Sequence, residues 1–282
     1  MRAHFQRFDE HLQSRQLAYS TRVPYLAELR RLATALEEDG QSSDLKTLTM
    51  DRITRYFVRE GRSSLTQRRA LTVLNQFLTW AKHPLAAEVG AMRMPRIHTA
   101  APDYLSEAEE KALRKTLRTR SDVTSQPRDR ALFCLLLDTG LRVAEAAALT
   151  VGDVELSEKM IRVSTKGGKQ RTRFLPVETR DILKLLVARQ PAQAPLFRST
   201  TGKGIGTRHI RRLLDFWVAL AGISRGIHPH VLRHTFATSL LKKTGNLRLV
   251  QLALDHESPK TTAIYAHVAD EELRAAIEGR RN

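Results

Sequence analysis

The residues best suited to chemistry lie in the last quarter of the chain, between His228 and Tyr265. The row reads HPHVLRHTFATSL, then a Leu-rich stretch, then LDHESPKTTAIYAHV. His230 and Arg233 are three positions apart and share one face if the segment is helical. Pro229 stands where a helix can begin, because the first helical N–H needs no partner. A first helical turn offers unpaired N–H groups and the positive end of the helix dipole, so it favours an anion, and a phosphate is the natural one. His256 follows, then Tyr265, a hydroxyl that becomes a nucleophile once its proton is taken. The plainer alternative is that such histidines and a late tyrosine serve packing alone.

Two further stretches carry chemistry. Arg142 follows a Thr139-Gly140 break and opens a new helix. It either pairs with Glu145, three positions on, or clamps a phosphate with both arms of its guanidinium. From Arg162 to Arg173 the chain holds five basic residues (Arg162, Lys166, Lys169, Arg171 and Arg173) and no acidic one. A ribbon of one sign suits insertion into a nucleic-acid groove. Lys166, at the end of its first strand, is either a general acid at a scissile phosphate or one more backbone-contacting lysine. The histidines His228, His230, His234, His256 and His267 form a local excess, but no Cys pair, no HExxH and no carboxylate set accompanies them. No metal is expected. The glycine-rich Thr201–Thr207 lacks the spacing of a nucleotide-binding loop and reads as a turn before a helix.

Elements must position these groups. Residues 1 to 98 read as four helices. Phe5, Phe8 and Leu12 share one face of the first. The second starts near Thr21, buries Tyr25, Leu29, Leu32 and Leu36, and ends at Gly40. The third runs from about Met50 to Glu60 with Thr49 as its cap. The fourth starts after Ser64 and turns Leu71, Leu74, Leu78 and Ala81 inward. Arg62, Arg68 and Arg69 cluster at its start, either as a solvated face or as contacts to phosphates along a duplex. A Pro-containing stretch over about 83–104 reads as a linker. The second domain, 105–282, opens with a Ser106–Glu109 capping box. A buried helix follows over about Arg128–Asp138. Two strands, Met160–Thr165 and Gln170–Leu175, are joined by a Gly-Gly hairpin, and helices over about 179–189 and 207–221 come next. The fold class is mainly α with a small antiparallel sheet.

Charge supplies the partner. The 282 residues hold 47 Lys and Arg against 30 Asp and Glu, a net of +17, which points to a polyanion such as nucleic acid. Both halves share the excess: 16 basic against 10 acidic residues up to position 98, and 31 against 20 beyond it. Cys134, alone in an apolar run, reads as a core residue and fits a reducing compartment. No secretory signal is visible in MRAHFQRFDEHLQ, and no apolar run is long enough to span a bilayer. A cytoplasmic, nucleoid-associated protein with no membrane partner is expected.

Taken in order, Arg, Lys, His-x-x-Arg, His and Tyr resemble the tyrosine recombinase (phage integrase) family, most closely its Xer-like branch. TGLRVAEA is similar to the first-arginine motif, HPHVLRHTFATSLL to the His-x-x-Arg motif, and LDHESPKTTAIYAHV to the nucleophile segment. The resemblance implies a core-binding (SAM-like) helical domain followed by a catalytic domain. With a first helix so early, no separate arm-binding domain is expected. The resemblance also implies that Arg142 and Arg233 bind the scissile phosphate and that Tyr265 forms a 3′-phosphotyrosyl link. Lys166 then protonates the leaving 5′ oxygen, His230 shares in proton transfer with Tyr265, and His256 hydrogen-bonds the phosphate. Glu145 orients the site from behind, and no cofactor is needed. The implied partners are double-stranded DNA with a specific site and three further subunits, in a homotetramer or a heterotetramer with a related recombinase. Strands are exchanged through a Holliday junction, in dimer resolution or in mobile-element integration or resolution. A C-terminal helix with Leu273, Ala276 and Ile277 would dock on a neighbouring subunit. The departure from the pattern is Asp255, where the family usually has Gly before the second histidine; Asp255→Gly is expected to leave cleavage intact or improve it. The competing readings are a catalytically silent DNA-binding accessory protein of the same fold, and a topoisomerase that nicks and reseals without exchange.

Overall fold

A computed structural model of the chain describes residues 1–38, 42, 44–59, 63–93, 102–120, 126–164, 170–255 and 265. The chain divides into two compact units, Met1–Thr99 and Ala100–Asn282.

The first unit is helical throughout its described residues. A 3-10 turn at Arg2–His4 leads into α1, Phe5–Ser14. Then come α2, Tyr19–Glu38, a 3-10 turn at Leu45–Thr47, and α3, Met50–Arg59. The last two are α4, Ser64–Trp80, and α5, Ala86–Ala91. Phe5, Phe8 and Leu12 are buried as their spacing requires, and Phe5 and Phe8 meet Phe77 of α4 edge-on. Leu29, Leu32 and Leu36 of α2 and Leu71, Leu74 and Leu78 of α4 complete the core. Each such side chain contributes roughly 1.5–3 kcal/mol by burial.

Three expectations change here. The helix α2 begins at Tyr19, ahead of Thr21, and runs through Pro24. The cap of α4 is Ser63, whose hydroxyl accepts from the Thr66 N–H. The stretch read as linker opens with α5, held by buried Val89, so this unit has five helices among the described residues rather than four. The remainder of that stretch over 94–101, and Gly40, Glu60 and Gly61, lie outside the described residues.

The second unit starts with α6, Glu107–Thr119, whose Ser106–Glu109 capping box is complete. The buried α7, Gln126–Thr139, follows, with every residue from Ala131 to Leu137 inside. Next come α8, Val143–Ala148, and strands β1, Val154–Glu155, β2, Met160–Ser164, and β3, Gln170–Phe174. The sheet is antiparallel in the order β1-β2-β3, one short strand more than the hairpin alone. Its register sets Ile161 opposite Arg173 and Val163 opposite Arg171. The helices α9, Val177–Val187, α10, Thr207–Leu220, α11, Pro229–Thr244, and α12, Leu247–Ala253, complete the unit. Trp217 of α10 is fully buried and donates its indole N–H to buried Asp129 of α7 at 2.9 Å, so the one polar end of each is satisfied. No helix among the described residues is long and apolar enough to cross a membrane.

Candidate active site

The helix α11 is the spine of the site. His228 is its N-cap and Pro229 its first residue, and Gly245, at φ +59°, ends it in the left-handed conformation glycine favours. Most of its circumference is buried: Val231, Leu232, Arg233, Thr235, Ala237, Thr238 and Leu241. Thr235 accepts a hydrogen bond from the Leu105 N–H at 2.9 Å and so pins the start of the unit to α11.

Arg233 is the unusual member of this buried set, a cation only 5% exposed. Its guanidinium donates from Nη1 to the Gly140 carbonyl at 2.5 Å and from Nη2 to the Leu254 carbonyl at 2.6 Å. Both acceptors are carbonyls freed by helix ends, one after α7 and one after α12. Their partial negative charge makes the buried cation tolerable. Burial and the nearby Arg142 hold its pKa down to about 10, still cationic at neutral pH. Gly140 has φ +62°, and a Cβ there would come within 2.4 Å of the Phe236 ring, so glycine is needed to bring its carbonyl under Arg233.

Arg142 caps α8 and is partly exposed at 43% of its side chain. Glu145 accepts from its backbone N–H at 2.7 Å and from its Nη1 at 2.8 Å. This grip fixes the Arg142 stem and leaves the remaining guanidinium N–H groups to an incoming anion. The structural and the phosphate-clamping readings of Arg142 are therefore compatible.

Tyr265 is fully buried against Ala237, Leu241, Val250 and Leu254, a cluster formed by α11 and α12. Burial pushes its pKa up to about 12, while Arg233 pulls the other way. Its hydroxyl lies 2.6 Å from Nδ1 of His234. The expected partner was His230. That residue stands four positions earlier, about 6 Å along the axis, and is exposed near the helix start. Burial, then His230 and His228, depress the His234 pKa to about 4. The ring is therefore neutral at physiological pH, and one nitrogen is an acceptor. In the sequence His234 stands out only within the histidine excess and by its place one position after Arg233.

The basic hairpin differs from expectation in its partners. Arg162 forms an ion pair with Glu155 of β1. Arg171 and Arg173 both bind Asp255, at 2.9 Å from Arg171 Nη1 and in direct contact with Arg173 Nη2. The three described arginines of the ribbon are thus paired with acids from outside it, two of them sharing one carboxylate. Asp255 has φ +53°, the left-handed conformation expected where the family usually has Gly. Lys166, Lys169 and His256 lie outside the described residues, as do Arg62, His267 and the C-terminal segment from 266. In the first unit Arg68 and Arg69 are exposed, and with Arg31 they line a groove between α2 and α4.

Comparison with known proteins agrees with this geometry. The family model described as "Phage integrase family" matches residues 103–272. The tyrosine recombinase XerC of Mycobacterium leprae is 33% identical over 95% of this chain and 95% of its own length. The tyrosine recombinase XerD of Ralstonia nicotianae is 35% identical over 92% of this chain and 87% of its own. The structure of XerH site-specific recombinase bound to its difH substrate superposes with a TM-score of 0.71 at 22% identity, over 90% of this chain and 76% of that one. With its small sheet, its buried arginine between two helix ends and its tyrosine against α11, the chain belongs to the tyrosine recombinase (phage integrase) family, in the Xer-like branch.

Proposed function

We propose that this protein is a site-specific recombinase that cuts and rejoins double-stranded DNA through a covalent phosphotyrosine, without metal or nucleotide cofactor. The observation that carries the reading is Arg233. It is a buried, fully cationic guanidinium fixed at both ends, beside an anchored Arg142 and within electrostatic reach of the Tyr265 hydroxyl. Such fixed cations favour the charge that grows on a phosphodiester as it becomes pentavalent, and they need no reorganisation during the reaction.

In this reading Arg142 and Arg233 hold the non-bridging oxygens. Tyr265 Oη forms a bond to phosphorus as the bond to the 5′ oxygen breaks. The phenolic proton leaves toward His234, His230 shares in the proton transfer, and Lys166 protonates the departing 5′ oxygen. His256 adds a hydrogen bond to the phosphate. The phosphotyrosine retains the bond energy, so the reverse attack by a 5′ hydroxyl reseals a strand without ATP. Glu145 orients Arg142 from behind. Arg68 and Arg69, with Arg62, carry the first unit along the duplex backbone, and the second unit supplies the chemistry. The partner is duplex DNA in the cytoplasm, at the nucleoid. Four subunits, of this chain alone or with a related recombinase, exchange strands through a Holliday junction.

The test uses nicked duplexes with a randomised core, on which a cleaved strand diffuses away and traps the enzyme. Wild-type protein should yield a covalent adduct stable to denaturation, and Tyr265→Phe should yield none. DNA binding without any adduct from the wild type would favour the silent accessory reading instead.

A further inference from the structure

Arg171 and Arg173 are two apart on β3 and so share one face of the sheet. Both reach the same carboxylate, that of Asp255 at the left-handed exit of α12. The neighbouring Leu254 carbonyl is the acceptor for Arg233. Two guanidinium groups on one strand face, meeting a carboxylate one residue from the carbonyl that holds Arg233, repel one another and require an anion. A carboxylate and a phosphodiester each offer a pair of oxygens to such forked donors, so the two anions are interchangeable in kind.

The charge count leaves the site unfilled. Among the described residues Arg142, Arg171, Arg173 and Arg233 meet two carboxylates, Glu145 and Asp255, a surplus of two positive charges for an incoming anion. Exposure divides the labour: the Asp255 and Arg173 side chains are 6% and 9% exposed, whereas Arg171 keeps 37% of its side chain in solvent. Arg171 is placed to swing outward, and Arg173 to follow once the carboxylate lets go.

We propose that Arg171 and Arg173 form a second phosphate-binding pair beside the reaction centre, and that Asp255 occupies it in the DNA-free chain as an internal carboxylate in the place of a DNA backbone phosphate. The inference rests on the recombinase reading above. DNA binding then exchanges one anion for another. Asp255 tunes affinity by competing for the arginines, a device that a glycine at this position lacks.

The experiment is a salt titration of binding to a random-sequence 30-bp duplex. Each phosphate neutralised adds about 0.9 to the slope of log affinity against log salt. Asp255→Asn and Asp255→Gly both suit the left-handed backbone. They should bind more tightly at low salt, with a slope steeper by about one to two. Adding Arg171→Gln and Arg173→Gln to Asp255→Asn should cancel the gain. Folded Asp255 variants, checked by melting, that show the wild-type slope overturn the proposal. Loss of the carboxylate strands Arg173, so a fold-independent arm is needed. Arg171→Gln in the otherwise unchanged chain should make the slope shallower by about one, and no change there also overturns it. A wild type that fails to bind duplex at low salt sinks the recombinase reading along with this one, whereas normal wild-type binding with unmoved variants sinks only the masking.

Discussion

In the proposed mechanism Arg233 uses one guanidinium for structure and for chemistry. The carbonyls of Gly140 and Leu254 take one N–H from each Nη, and three of the five N–H groups of the fork remain. A lysine has one ammonium and no fork, so it cannot span both carbonyls and a phosphate. Arg233→Lys should lower strand cleavage at least about 100-fold, as loss of a fixed transition-state donor does, while a melting curve still reports a folded chain. Cleavage within a few-fold of wild type would show that the fork is not needed. His234 yields a second residue-scale expectation. Its folded pKa of about 4 lies below its ordinary 6.5. Between those values the unfolded chain binds a proton that folded His234 refuses, so stability falls as pH drops through that window. His230, also depressed by burial and by His228, adds in the same direction. Urea titrations at pH 7 and pH 5 should show this loss in the wild type and a smaller one in His234→Gln. An equal loss in both would remove His234 as the source.

At the scale of elements, the site is a meeting of helix ends. The α7 terminus supplies the Gly140 carbonyl, α8 presents Arg142, α12 supplies the Leu254 carbonyl, and α11 carries Arg233 and His234 between them. Gly140→Ala tests that meeting. The left-handed backbone costs alanine about 1–2 kcal/mol and the clash with Phe236 adds to it, so the unfolding free energy should drop by at least about 2 kcal/mol. Cleavage should drop as well, because the carbonyl under Arg233 moves; an unaffected variant would mean that the α7 terminus is not fixed by this glycine. Long amphipathic elements were legible in the sequence because period and caps agree, as at Phe5, Phe8 and Leu12 or at Ser106 and Glu109. Short ones were not. Only Val89 is buried in α5, β1 has two residues, and the first turn of α2 begins at Tyr19, which is largely exposed, so none produces a period to read. Of the site, the residue types of Arg142, Arg233 and Tyr265 were legible in their motifs. The partners were not: Asp255 meets Arg171 from 84 positions away, and His234 rather than His230 meets the tyrosine because depth around a helix is set by what packs on it.

For the whole molecule, both compact units share the positive excess, as expected of a chain that holds a duplex along its length. The exposed Arg68 and Arg69 of the first unit are available to phosphates at once. In the second unit Arg142, Arg162, Arg171 and Arg173 are held in place by Glu145, Glu155 and Asp255. The protein thus combines exposed arginines on its first unit with paired arginines on its second, and Tyr265, the proposed nucleophile, is buried. The central claim is that Tyr265 takes the DNA strand. Digesting the trapped adduct and sequencing its peptides by mass spectrometry tests it most directly. The account predicts a nucleotide attached through phosphate to Tyr265, with the adduct absent in Tyr265→Phe. A nucleotide on any other residue, or an undiminished adduct in the variant, would contradict it.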